Sequence, residues 1–81
     1  VGKMVKIPVY LRDLCDVKHL VQAASVCRNE VDLICGRYVV DAKSMLGVFS
    51  LPTFQCVELS VKEEEEQKLT EMLESFHLLR K

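Results

Sequence analysis

Apolar and polar residues alternate from Met4 to Tyr10, with Val5, Ile7 and Val9 on one face and Lys6 and Pro8 on the other. That period of two predicts a half-buried strand, and Pro8, which lacks an amide, favours an edge position. Leu11 to Cys15 reads as a connection. From Asp16 to Arg28 the period lengthens: Val17, Leu20, Val21, Ala24 and Cys27 fall on one stripe, the mark of an amphipathic helix. Asp13 or Asp16 is placed to cap its start, and Arg28 suits its end. Glu30 to Cys35 predicts a second strand, Gly36-Arg37 a tight turn, and Tyr38 to Asp41 a returning third strand.

The period changes again in Asp41-Ala42-Lys43-Ser44-Met45-Leu46-Gly47-Val48-Phe49-Ser50-Leu51. Met45, Leu46, Val48, Phe49 and Leu51 recur at steps of one and three, which predicts a short helix ended by Pro52. Ser44 stands where the N-cap belongs. Phe54 to Val61 predicts a fourth strand with Phe54, Cys56, Val57, Leu59 and Val61 turned mostly inward. Glu63-Glu64-Glu65-Glu66 opens a last helix with the stripe Leu69, Met72, Leu73, Phe76 and Leu79, and Arg80-Lys81 at its end. Four acids at a helix start read as a solvated, dipole-matched run. The element order is βαββαβα. Four strands and three helices in this length predict an α+β open-faced sandwich: a four-stranded antiparallel sheet with three helices on one face.

Composition narrows the function. The 81 residues are enough for one domain, spanning 1–81, with a modest core. Val1-Gly2-Lys3 precedes the start of the pattern at Met4 and is expected to be an added leader. The formal charge of −1 gives no basic excess for nucleic acid. No apolar run approaches a membrane span, and no secretory leader is visible, so a cytoplasmic, reducing setting is expected. The cysteines Cys15, Cys27, Cys35 and Cys56 lack the paired spacing of a zinc site, and no metal or cofactor is expected. Cys27, Cys35 and Cys56 read as small core fillers.

The run Asp41 to Leu51, above all Ala42-Lys43-Ser44 followed by Met45-Leu46-Gly47, resembles the regulatory-serine segment of the HPr family, the small phosphocarriers of the bacterial sugar phosphotransferase system. The resemblance extends from Val5 to about Phe76. It implies that Ser44 is phosphorylated by an ATP-dependent HPr kinase/phosphorylase. The added charge of about −2 would lie beside an apolar patch and at the positive end of the short helix. Lys43, Met45, Leu46, Val48 and Phe49 are the residues expected to meet a partner there. Lys43 and Arg12 are the cations expected to feel the phosphate.

The family's other site is altered. Its phosphorylated histidine lies just before the first helix, in a Gly-Leu-His-Ala/Thr-Arg-Pro-Ala run. Counting back from Val21 and Ala24, the equivalent segment is Leu11-Arg12-Asp13-Leu14-Cys15-Asp16-Val17. Asp13 then stands at the histidine's position, Cys15 at the arginine's and Asp16 at the proline's. Two acids repel an incoming phosphate, and Asp13 reads as a plain cap. Cys15, near a helix N-terminus, has no general base placed beside it, so no catalytic role is assigned. His19 lies off the apolar stripe and reads as a surface residue; His77, near the C-terminus, suits the helix dipole.

The expectation is therefore a non-enzymatic, histidine-degenerate HPr-like protein, similar to the Crh branch of the family. It would be regulated at Ser44 and act through protein binding in carbon catabolite control, with a LacI-type transcriptional regulator as the kind of partner. Two alternatives stand beside it. One is a phosphocarrier that uses Asp13 or His19; the other is an interaction module that uses neither site.

Overall fold

A computed structural model describes residues 3–80. The expected leader residues Val1 and Gly2, and the terminal Lys81, lie outside the described residues. The chain forms β1 (Met4–Val9), α1 (Leu14–Val26), β2 (Asp32–Cys35), β3 (Tyr38–Asp41), α2 (Met45–Phe49), β4 (Val57–Lys62), a 3-10 turn (Glu63–Glu65) and α3 (Glu66–Ser75). The sheet order is β1-β4-β2-β3, and every pairing is antiparallel. The predicted α+β order and architecture stand.

Register decides which face is buried. Val5, Ile7 and Val9 lie opposite Val61, Leu59 and Val57, and Leu33 lies between Leu59 and Val40. Residues directly opposite share a face, so these rows point the same way. They pack with Val17, Leu20, Ala23 and Ala24 of α1, Val48 of α2, and Leu69 and Leu73 of α3 in one core. The other face carries Lys6, Glu58, Ser60, Asp32, Ile34 and Val39, and among the described residues no helix covers it. The three helices lie together on the apolar side, with α1 touching both others.

Several expected boundaries shift. α1 starts at Leu14 because Asp13 is its cap, so Leu14 and Cys15 are helical and Asp16 lies in the first turn. β2 starts at Asp32, not Glu30, although buried Val31 still accepts the Ala42 amide (2.8 Å). β4 starts at Val57. Before it, Thr53 Oγ1 accepts from the Gln55 amide (3.1 Å) and Cys56 adopts φ +56°, so this stretch turns and cannot join the ladder. Cys56 is therefore exposed, against its reading as a core filler, and Phe54 is half-buried. Cys27 and Cys35 are buried as expected.

The acidic run does not all face water. Its first three residues form the 3-10 turn, and this rotation drives Glu65 inward to 8% exposure. Its carboxylate accepts from the backbone amides of Arg28 (2.7 Å) and Asn29 (3.1 Å) and from Asn29 Nδ2 (3.1 Å). Glu65 thus ties the exit of α1 to the entrance of α3. Burial pushes its pKa up, but these bonds outweigh it and hold the carboxyl below its ordinary value.

α3 ends in a Schellman arrangement: the Leu78 amide donates to the Leu73 carbonyl (2.9 Å) and the His77 amide to that of Glu74 (3.0 Å). His77 holds the left-handed position, φ +60°, where glycine is favoured. Leu78 is fully buried beyond it, an anchor the helical stripe alone does not indicate.

Candidate functional site

The segment before α2 is held by short-range bonds. Asp41 Oδ1 accepts from the Lys43 amide (2.9 Å), and the Asp41 carbonyl from the Ser44 amide (3.1 Å). Ser44 then turns extended, φ −109° and ψ 116°, and its Oγ accepts from the Gly47 amide (3.1 Å). This is the N-cap expected from sequence. Gly47 allows the closeness: a Cβ there would stand 3.3 Å from the Asp41 carbonyl oxygen and 3.4 Å from Ser44 Cβ. Lys43 Nζ reaches back to donate to the Cys27 carbonyl (2.8 Å), just past the end of α1.

A helix of five residues can bury only one side. Val48 is fully buried, so it cannot meet a partner, against its expected role. Leu46 is 84% exposed and Phe49 44%. Three apart, they share a face. Met45 and Lys43 are half-buried beside them. The exposed apolar surface next to Ser44 is therefore Leu46 and Phe49, flanked by Met45 and Lys43. Ser44 itself is half-buried.

The entrance of α1 is a second cluster. Asp13, extended at φ −153°, accepts the Asp16 amide on Oδ1 (3.0 Å). Asp16 is 8% exposed, and its Oδ2 accepts both the Arg12 amide and Arg12 Nε, each at 2.8 Å. Burial pushes the Asp16 carboxyl up; the Arg12 bonds win and hold it below its ordinary value. The same pairing raises the pKa of the Arg12 guanidinium. Arg12 also donates from its terminal nitrogen to the His77 carbonyl (2.9 Å), joining the α1 entrance to the end of α3. Its donors are turned toward this strap.

The two clusters lie apart. Arg12 sits at the start of α1 and Lys43 binds just beyond its end, so the body of the helix, about 18 Å at 1.5 Å per residue, separates them. Arg12 is thus not beside Ser44, and Lys43 is the neighbouring cation. His19 is not a free surface side chain: its ring stacks on Phe76, centroids 4.4 Å apart and planes parallel, between α1 and α3. Cys15 is exposed on the first turn of α1. His77 serves the α3 terminus through its backbone. Among the described residues no three His, Cys, Asp or Glu side chains converge to hold a metal ion, and no helix is long and apolar enough to cross a membrane.

Glu65 is the polar residue that sequence reasoning missed. Its signal was weak: one carboxylate in a run of four, distinguishable only by the inward phase of Leu69 four residues later.

No protein-family model matches the chain, and no curated protein does. Among solved structures the chain is similar to the crystal structure of HPr-C-His from Thermoanaerobacter tengcongensis. The identity is 26% and the TM-score 0.68, over 90% of this chain and 88% of that one. With the βαββαβα order and the antiparallel sheet, the likeness shows an HPr-like fold, the architecture of a phosphocarrier-type protein.

Proposed function

We propose that this HPr-like chain is a regulatory protein whose phosphocarrier histidine is absent. It receives a phosphate on Ser44 from an ATP-dependent kinase of the HPr kinase/phosphorylase type. The phosphorylated form then binds a partner protein through Leu46 and Phe49, with a LacI-type regulator in bacterial carbon catabolite control as the partner class and the cytoplasm as the setting.

One observation carries the reading. Ser44 Oγ accepts a hydrogen bond from Gly47 while its own proton has no acceptor among the described residues, and Leu46, two positions on, is almost fully exposed. A modifiable hydroxyl thus adjoins a ready apolar contact. A phosphate adds about two negative charges there, and Lys43, now spent on the Cys27 carbonyl, is the cation within the same turn that answers it. The chain acts by binding in this reading, not by catalysis.

The α1 cluster speaks against carrier chemistry. In the register anchored by Val21 and Ala24, Asp13 takes the histidine's place, and its carboxylate already caps the helix. Asp16 holds Arg12, the cation that would otherwise steady a phosphate there. His19 is packed against Phe76.

Intact mass after two incubations tests the proposal. With HPr kinase/phosphorylase and ATP, one phosphate is expected on the wild type and none on Ser44→Ala. With enzyme I and phosphoenolpyruvate, none is expected; an acid-labile phosphate at Asp13 or His19 would return the protein to the carriers. No phosphate in either tube would leave an interaction module that uses neither position.

A further inference from the structure

The sheet has two edges, and among the described residues the chain covers only one. Beyond β1, the Tyr10 amide donates to the Leu78 carbonyl (2.7 Å), the Arg80 amide to that of Pro8 (3.1 Å), and Val9 bridges Leu79. Beyond β3 there is no strand among the described residues. The Gly36-Arg37 turn has its positive φ, +60°, at glycine only, which fits a type II′ two-residue hairpin closed by the hydrogen-bonded pair Cys35 and Tyr38. Antiparallel bonding alternates, so Tyr38 and Val40 bond inward to β2 while Val39 and Asp41 turn their backbone groups outward; the Asp41 carbonyl already accepts from the Ser44 amide (3.1 Å), which leaves Val39 as the open pairing position among the described residues. Tyr38 is 51% exposed and Val39 59%. No lysine, proline or bulge within β3 guards this edge.

The edge is complementary to itself. Laid antiparallel on its own copy about Val39, the stretch Arg37-Tyr38-Val39-Val40-Asp41 sets Arg37 against the partner's Asp41, Tyr38 against the partner's Val40, and Val39 against itself. Both ends of the pairing then carry opposite charges. Asp41 also has an unrelieved need for one: across the hairpin it lies directly opposite Asp32. Like charges at that position repel, and among the described residues neither acid forms an ion pair. An arginine arriving from outside offsets one of the two charges and so relieves the repulsion.

We propose that β3 is a homodimer edge, joining two copies by a two-fold axis at Val39 into one continuous eight-stranded sheet. The interface is isologous, as a two-fold requires. Val39 amides and carbonyls bond reciprocally at the centre, and the Arg37–Asp41 pairs set register. A four-residue edge buries little area, so the dimer is weak and salt-sensitive. This inference does not depend on Ser44 being modified.

Sedimentation velocity from micromolar to millimolar protein tests it. The wild type is expected to shift from monomer toward dimer with concentration, less so at high salt. Arg37→Asp and Asp41→Arg are each expected to weaken self-association by about tenfold or more, because each places like charges face to face twice. Mixed one to one, these variants face opposite charges at both ends, and the mixture regains the dimer. Val39→Lys, at an exposed position that leaves the β2 ladder intact, is expected to remain monomeric. A wild type that stays monomeric at millimolar concentration overturns the proposal. So does a dimer that Val39→Lys leaves unchanged, or singly reversed variants that do not recover on mixing.

Discussion

Removing the Glu65 carboxylate should cost this small fold a large part of its stability. Glu65→Ala deletes the acceptor of three hydrogen bonds, two of them to the backbone where the chain leaves α1. A bond to a charged acceptor contributes about 1.5–3 kcal/mol. Arg28 is exposed and Asn29 half-buried, so water replaces part of what is lost. The expected net cost is about 2–4 kcal/mol, against a total near 5–15 kcal/mol for a domain of ordinary stability. Urea unfolding followed by circular dichroism at neutral pH measures it. Glu65→Gln keeps the size and one acceptor oxygen, and should lose about half as much.

The pH dependence gives the sharper test. The folded carboxyl lies below its ordinary 4.5, so its contribution is fully present above that value and is lost as pH falls through the folded pKa. The wild-type advantage over Glu65→Ala should therefore stay level from neutrality to near 4.5 and shrink below it. Asp16, also held low, weakens both proteins in acid, and the difference between them isolates Glu65. A difference under about 0.5 kcal/mol at neutrality, or one that does not shrink in acid, refutes the account, because three bonds to one buried anion leave neither outcome open.

Other substitutions probe the remaining claims. His77→Gly relieves a left-handed backbone at the end of α3 and should stabilise by about 1 kcal/mol, read as a rise in Tm; a fall would mean that the imidazole contributes something its backbone role does not require. Ser44→Ala removes the α2 cap and should cost about 1 kcal/mol even without any kinase, so its phosphorylation control must be run on protein shown by circular dichroism to be folded. Leu46→Ala should leave the unfolding midpoint nearly unchanged while weakening partner capture by the phosphorylated form. Leu69→Ala, fully buried, should cost about 2–5 kcal/mol in the same unfolding assay; equal effects of these two would show that Leu46 is part of the core.

Periodicity carried the architecture. Alternation in Met4–Val9 and the stripe Val17, Leu20, Ala24 are local consequences of strand and helix geometry, so βαββαβα could be read from the chain. Asp13 and Ser44 were legible as caps for the same reason: a cap bonds within three residues of itself. What failed were features set by partners distant in sequence. Val48 and Leu46 are both apolar and two apart, and only packing against the core sends one inside and leaves the other in water. Cys56 looked inward because its neighbours are apolar, but the turn at Thr53–Gln55 and its own positive φ keep it out of the strand and in water. Glu65 was one of four identical side chains until the end of α1, 36 residues away at Asn29, supplied donors for it. Arg12 binds His77, 65 residues on, and the exposed edge of β3 exists only because the sheet order ends there. Local hydrogen bonding and hydrophobic period are written in neighbouring residues, whereas the burial of a single charge, or the freedom of a single edge, depends on which distant segment arrives beside it.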